Sequence, residues 1–330
     1  MDSSLPIAYN GHTSEDAMKR RAVLASALTP FVFLLVASVA YPLGLGSDHP
    51  KAKIIATIFP LKEFAAAVAG EKGQVEQLIP PGAGVHTWQP RPSDLVKIVS
   101  SDLFIYIGAN LEPWIKDILK EAAGKKTRII EVAGLMDFKE FEGEREERDR
   151  HGHGLLDPHV WLDFEAAQKI CDILADSFSS IDPAGEPYFR ANAASYKARL
   201  QKLDSDYKAA FQRCAGKTFV LAGHAAFGYL AKRYGLEQVS LYGLSPDAQP
   251  SPKRLIEVTE LARRLDIKVV FFESSASPDL ARTLAHELGA RTLVLYPGHN
   301  LTRREILEGT TFIDIMKENL RSLKDGLGCR

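Results

Sequence analysis

Three histidines stand where a strand-rich chain presents side chains for chemistry. His86 follows an apolar run ending at Ile79, His159 lies beyond one ending at Val132, and His224 closely follows one ending at Ala222. A neutral imidazole is a good zinc ligand, and three of them with a fourth oxygen, nitrogen or water donor complete a tetrahedral site. Imidazole-rich sites favour zinc, whereas manganese prefers carboxylates. The separations, 73 residues from His86 to His159 and 65 onward to His224, are far beyond any zinc-finger spacing. Such a site has to be assembled by the fold. Taken singly, each histidine reads better as a satisfied loop or core residue, and spacing alone does not overturn that. The three cysteines include no Cys-x-x-Cys pair, so a thiolate ribbon or redox motif is excluded.

The elements that must position these residues are legible as two series of short β-rich runs. Residues 53–58, 75–79, 102–107 and 128–132 form the first series, and 218–222, 238–241, 268–272 and 292–296 form the second. Helical patterns intervene at 61–69, 93–100 and 113–122, and again at 252–265 and 278–288. Strand and helix alternation of this kind predicts α/β lobes, each with a roughly four-stranded parallel sheet. In open parallel sheets, ligand sites collect at the carboxyl ends of the strands. Between the two series, Tyr196, Leu200, Leu203, Tyr207, Ala210 and Cys214 recur at spacings of four and three, which predicts one long amphipathic helix bridging both lobes rigidly. The domain reading is a lobe over 49–183, a linking helix over 184–214 and a second lobe over 215–330. Residues 139–156 read as a mobile surface loop containing His151 and His153.

The first 48 residues read as an address and a linker. A polar leader ends in Lys19, Arg20 and Arg21, and 22–40 is uncharged and apolar with small residues at Ser38 and Ala40. That is a signal-sequence pattern. The competing reading is an uncleaved membrane tether over 22–45. Both place the remainder outside the cytoplasm, in the periplasm or cell envelope, and the segment has no cysteine for a lipoprotein anchor. Lys plus Arg number 41 against 42 Asp plus Glu, so no basic excess points to a nucleic-acid partner.

The surroundings of the three histidines sharpen the reading. Pro80-Pro81-Gly82-Ala83-Gly84-Val85-His86-Thr87-Trp88-Gln89-Pro90, Asp157-Pro158-His159-Val160-Trp161-Leu162-Asp163 and Gly223-His224-Ala225-Ala226-Phe227-Gly228 form an ordered set. Supporting stretches are Asn110-Leu111-Glu112-Pro113-Trp114, Leu244-Ser245-Pro246-Asp247 and Phe271-Phe272-Glu273-Ser274. The set resembles the zinc and manganese solute-binding proteins of bacterial ABC importers, most of all the periplasmic zinc-uptake type, from about residue 53 to 323. The resemblance implies capture of one Zn(II) between two lobes, His86 and His159 coming from the first and His224 from the second. It also implies a membrane permease as partner, a separate ATPase, and a monomeric binding protein. Mn(II) or Fe(II) is the alternative cargo.

One position departs from the family pattern. The family commonly supplies an aspartate after the last strand, where this chain reads Leu295-Tyr296-Pro297-Gly298-His299-Asn300. A phenol with a reference pKa of about 10 is a poor zinc ligand. His299 and water therefore rank ahead of Tyr296 as fourth ligand, and Glu273 remains a candidate, either as ligand or as a partner to a ligand histidine. Asp157 and Asp163, flanking His159, read either as orienting groups or as turn and cap residues. His151 and His153 read either as an auxiliary metal collector or as a solvated loop, and a Cys214–Cys329 disulfide stays open. Binding through imidazoles implies an affinity that weakens as pH falls through about 6.5. Two other classes fit the same residues: a surface adhesin on the same scaffold, and a zinc hydrolase. The chain is read as no enzyme, because it carries no His-Glu-x-x-His, Gly-x-Ser-x-Gly or phosphate loop.

Overall fold

The computed structural model describes residues 51–136, 156–244, 250–274 and 276–330. The leader, the His151 and His153 loop and Ser245-Pro246-Asp247 lie outside the described residues. Among the described residues, no helix is long and apolar enough to cross a membrane.

Strands β1 (Ala52–Ala56), β2 (Gly73–Gln77), β3 (Leu103–Tyr106) and β4 (Arg128–Glu131) form one parallel sheet in the order β2-β1-β3-β4. Strands β5 (Thr218–Ala222), β6 (Glu237–Ser240), β7 (Val269–Glu273) and β8 (Arg291–Leu295) repeat it as β6-β5-β7-β8. The inner strands are apolar throughout because both faces are covered: all four residues of β3 are buried, as are Phe219 to Ala222 of β5. Successive side chains then serve different cores. Phe219 and Leu221 join the large core shared by the two lobes, while Val220 and Ala222 pack in a second cluster with Val258 and Ala281.

The predicted second strand differs by two residues. It pairs with β1 from Gly73, and Leu78 and Ile79 continue the ladder by donating to the carbonyls of Ala56 and Thr57. Parallel neighbours require crossovers, here supplied by α1 (Phe59–Ala69), α2 (Pro92–Val99) and α3 (Ile115–Ala122) in the first lobe. In the second lobe α6 (Gly228–Tyr234), α7 (Pro252–Arg264) and α8 (Asp279–Leu288) do the same.

Two helices, rather than one, lie between the sheets. Helix α4 (Phe164–Ile181) is capped by Asp163, whose carboxylate accepts from the N–H groups of Glu165 and Ala166. The long helix α5 (Glu186–Phe211) packs along it and buries Tyr196, Leu200, Leu203 and Tyr207 of the expected stripe together with Phe189, Ala193 and Phe211, whereas Ala210 is half-buried and Cys214 lies beyond the helix end. Full burial of a residue such as Leu200 is worth about 1.5–3 kcal/mol. Polar bonds tie this layer to both lobes. Glu63 of α1 accepts from the Tyr196 hydroxyl at 2.7 Å and from the N–H of Phe312 at 2.6 Å, where α10 (Phe312–Gly326) begins after the short helix α9 (Arg303–Leu307). Tyr207 donates to the Met316 carbonyl at 2.6 Å. Arg233 of α6 reaches Asp204 on α5 at 2.7 Å and Asp163 at 3.0 Å. Cys214 and Cys329 form a disulfide that joins the segment after α5 to the C-terminus.

Candidate metal centre

Both sheets change direction at the same place. The chain leaves β1 and β5 toward one edge and returns to β3 and β7 on the other side, so crevices form at the β1/β3 and β5/β7 carboxyl ends. His224 lies two residues past β5, and Glu273 ends β7 beside it. His86 lies in the loop after β2, His159 directly before the short 3-10 turn Val160–Leu162, and His299 in the loop after β8. Tertiary folding brings all four imidazoles together. His86 lies with its ring centre 5.6 Å from that of His159, 5.2 Å from His224 and 6.2 Å from His299. His159 and His224 are 5.0 Å apart, and His224 and His299 are 5.9 Å apart. A cavity of about 540 Å³ opens over His86, His224, Glu273 and His299.

Two of the rings are oriented by buried carboxylates. Asp157 Oδ1 accepts from the His159 backbone N–H at 2.9 Å and contacts its Nδ1 at 2.8 Å. Glu273 Oε1 does the same for His224, at 2.5 Å to the backbone and 2.8 Å to Nδ1. Each carboxylate places the ring proton on Nδ1 and turns the Nε2 lone pair inward. The two Nε2 atoms face each other at 3.1 Å. Two lone pairs at that distance repel unless a cation lies between them, and a tetrahedral ion with bonds of about 2.0–2.1 Å sets its ligand nitrogens about 3.4 Å apart. Glycine makes the Glu273 contact feasible: a Cβ on Gly223 would fall 2.1 Å from Glu273 Oε1.

The remaining two rings present bare donors. His86 Nε2 and His299 Nδ1 are buried and carry no hydrogen bond. The donor atoms fall into two overlapping groups, His86 with His159 and His224, and His224 with Glu273 and His299, each within 4.8 Å. Because Glu273 Oε1 is already shared by the backbone and ring of His224, its geometry is that of an orienting group.

Burial keeps His86, His159 and His299 neutral. The His86 pKa is pushed down to about 2 by burial and then by His159 and His224. Burial and His224 likewise hold His159 well below the ordinary imidazole value. His299 is held down by burial, His224 and His86, with Glu273 opposing. Burial alone raises the Glu273 carboxyl, but charge and hydrogen bonding at His224 outweigh it and leave the pKa lowered. Glu273 is therefore an anion while His86, His159 and His299 are neutral, the protonation states that a divalent cation requires.

Tyr296 sits apart. Its backbone is bonded both ways to the Asn319 side chain, its ring packs against the core, and burial raises its phenol pKa, opposite to what coordination requires. Asp157 and Asp163 divide the two readings of the sequence between them, one orienting His159 and the other capping α4. Trp161 is fully buried and donates to the Pro297 carbonyl at 2.8 Å, while Trp88 and Trp114 pack edge to face. Glu112 is a buried carboxyl that accepts from Thr57 and the N–H groups of Ile107 and Gly108, its pKa pushed up to about 7 by burial. It fastens the β1/β3 crevice. One polar residue beside the centre, Asn300, carried no readable signal, because the groups it joins lie more than 200 residues away in sequence.

Fold and cleft together define a two-lobed α/β solute-binding protein. Residues 54–326 match the family described as zinc-uptake complex component A, periplasmic, and the chain belongs to it. The high-affinity zinc uptake system protein ZnuA of Bacillus subtilis is 37% identical over 304 residues, covering 89% of this chain and 94% of that protein. The zinc-binding protein AdcA of Streptococcus pyogenes serotype M18 is 36% identical over 288 residues, 83% of this chain. The match spans only 56% of that AdcA. Among solved structures, the Zn(II)-bound ZnuA-like domain of Streptococcus pneumoniae AdcA superposes with a TM-score of 0.72 at 38% identity, covering 84% of this chain and 99% of that domain. The family consists of metal-uptake binding proteins and not enzymes.

Proposed function

We propose that this chain captures one Zn(II) through His86, His159, His224 and His299 and delivers it to a membrane permease driven by a separate ATPase. The observation that carries the reading is the 3.1 Å approach of His159 Nε2 and His224 Nε2, each ring turned by its own buried carboxylate. Four imidazole nitrogens suit zinc better than manganese, whose preferred donors are carboxylates and water. The ion's double charge is balanced one bond further out by Asp157 and Glu273. All four donors come from one chain, so a monomer suffices. The names of the relatives, two of which are called zinc-binding or zinc-uptake proteins, point to the same cargo.

In this reading residues 49–183 and 215–330 are the two lobes and 184–214 the link, and the leader exports the chain to the cell envelope. The test is calorimetric zinc titration of the mature chain beside a His86→Ala/His159→Ala/His224→Ala variant, with elemental analysis of the bound metal. One tight equivalent, lost in the variant, supports capture. Binding absent from the parent, or unchanged in the variant, sinks the ligand assignment. Direct competition with Mn(II) and Fe(II) decides the cargo.

A further inference from the structure

Carboxylates orient only half of the histidine cluster. Among the described residues no carboxylate bonds the ring of His86 or His299, yet both donors must hold their spacing for one ion to meet them. Their loops are tied to each other instead. The segment 297–301 leaves the second lobe's last strand but hydrogen bonds to the first lobe. Trp161 donates to the Pro297 carbonyl at 2.8 Å, the Phe59 N–H to the His299 carbonyl at 3.1 Å, and the Gly82 N–H to the Leu301 carbonyl at 2.8 Å.

Asn300 sits at the centre of this seam. Its Nδ2 donates to the carbonyls of Pro80 and Ala83, both at 2.8 Å. Its Oδ1 accepts from Gln77 Nε2 at 2.8 Å and from the Leu301 N–H at 2.9 Å. A primary amide offers two donors and two acceptor lone pairs, so every bond this side chain can make is made. Aspartate at this position has no hydrogen to donate to the two carbonyls, and an aliphatic residue satisfies neither side. Pro80 and Ala83 belong to the loop that carries His86, and Asn300 is the neighbour of His299. One amide thus fixes the distance between the two loops whose imidazoles lack an orienting carboxylate.

Resting on the four-histidine reading, we infer that Asn300 is a positioning residue that holds the His86 and His299 loops at the spacing a single ion requires. It acts through the backbone of both loops and does not itself contact the ion. A consequence is that His299, although it follows a strand of the second lobe, is held by the first. Separation of the lobes then moves His224 and Glu273 away from the other three histidines as one unit.

The test is zinc affinity, read by competition with a chromophoric chelator, in the full chain and in Asn300→Ala, His86→Ala, His299→Ala and His159→Ala, with Asn300→Ala combined with each histidine variant. Asn300→Ala is expected to weaken binding by about 10–100-fold, the range for groups that orient metal ligands. Coupling marks a shared role: the Asn300→Ala loss should shrink where His86 or His299 is already missing and persist undiminished where His159 is missing. Metal-free melting temperatures establish that each variant folds. Gln77→Ala, which removes one bond to Asn300, is expected to weaken binding by less in the same direction and serves if Asn300→Ala does not fold. Unchanged affinity in the folded Asn300 or Gln77 variants, or an equal Asn300→Ala loss in every background, overturns the inference. Failure of the parent reading is recognised separately: His159→Ala and His299→Ala alone leave zinc affinity untouched, and the inference falls with it.

Discussion

The two halves of the histidine cluster are held by different physics. His159 and His224 are fixed side chain by side chain: each ring meets a buried anion that sets its tautomer, aims Nε2 and supplies countercharge. His86 and His299 are fixed loop by loop, through neutral hydrogen bonds that set where the backbone runs. The first device fixes direction and charge, and the second fixes separation. A cluster built only of the first kind brings more negative charge to the ion and resembles a manganese site. One built only of the second leaves a double charge buried without compensation, at high cost.

The largest test of this contrast is loss of a carboxylate-oriented ligand. His224→Ala and His159→Ala are each expected to reduce zinc affinity beyond the ~10–100-fold typical of an orienting group, as measured by chelator competition. His86→Ala and His299→Ala should each cost less than either. Equal losses at all four positions break the comparison.

Next come the anions themselves. Glu273→Gln keeps the shape but removes the charge, and should weaken zinc by about 10–100-fold. The same change at Asp157 to Asn should give a similar loss. Isothermal titration of both variants checks this, and an effect no larger than that of a surface carboxylate sinks the countercharge argument.

Acidification separates the protein from the simple expectation for imidazoles. His86, His159 and His299 have folded-state pKa values below their unfolded value of about 6.5. As pH falls below about 6.5 the unfolded chain takes up protons that the folded site refuses, so stability is full above that pH and lost progressively below it. For His86 the window runs down to about 2. The metal-free protein should therefore melt at lower temperature as pH drops from about 6.5. Zinc affinity of the folded protein should hold to lower pH than the 6.5 expected of free imidazoles. Melting curves and titrations across the same pH series check both.

The smallest expected effect on binding is at the disulfide, remote from both halves of the cluster. Reducing Cys214–Cys329, or replacing both with Ser, should lower stability by about 2–5 kcal/mol in denaturant unfolding. Zinc affinity should not change. A change in affinity there means the second lobe's frame, and not only its loops, sets the site.

Much of the fold was legible because parallel strands buried on both faces announce themselves as short apolar runs. All eight runs read from the sequence form strands in the structure, with ends shifted by at most two residues. Helix α10 went unread although Thr311 and Asp314 form a capping box ahead of Phe312, Ile315 and Met316. Helix α4 is not among the predicted helices either, although Phe164, Ala167, Ile170, Cys171, Leu174 and Phe178 recur at helical spacing behind the Asp163 cap. The histidines stood out by residue type and by position after strands. Asp157 and Glu273 were legible as candidates with their roles open, whereas Asn300 gave no signal, because it lies 217 and 220 residues from the carbonyls it joins.

The sequence by itself determined two parallel α/β lobes, a long bridging helix and a set of imidazoles at strand ends, because hydrophobic periodicity and residue chemistry are local properties of a chain. Tertiary structure alone decided which carboxylate serves which ring, that Tyr296 stands outside while His299 faces in, that two cysteines pair, and that one amide couples two loops. Those outcomes depend on distances between groups far apart in sequence, and only packing of the two lobes against their shared helices sets such distances.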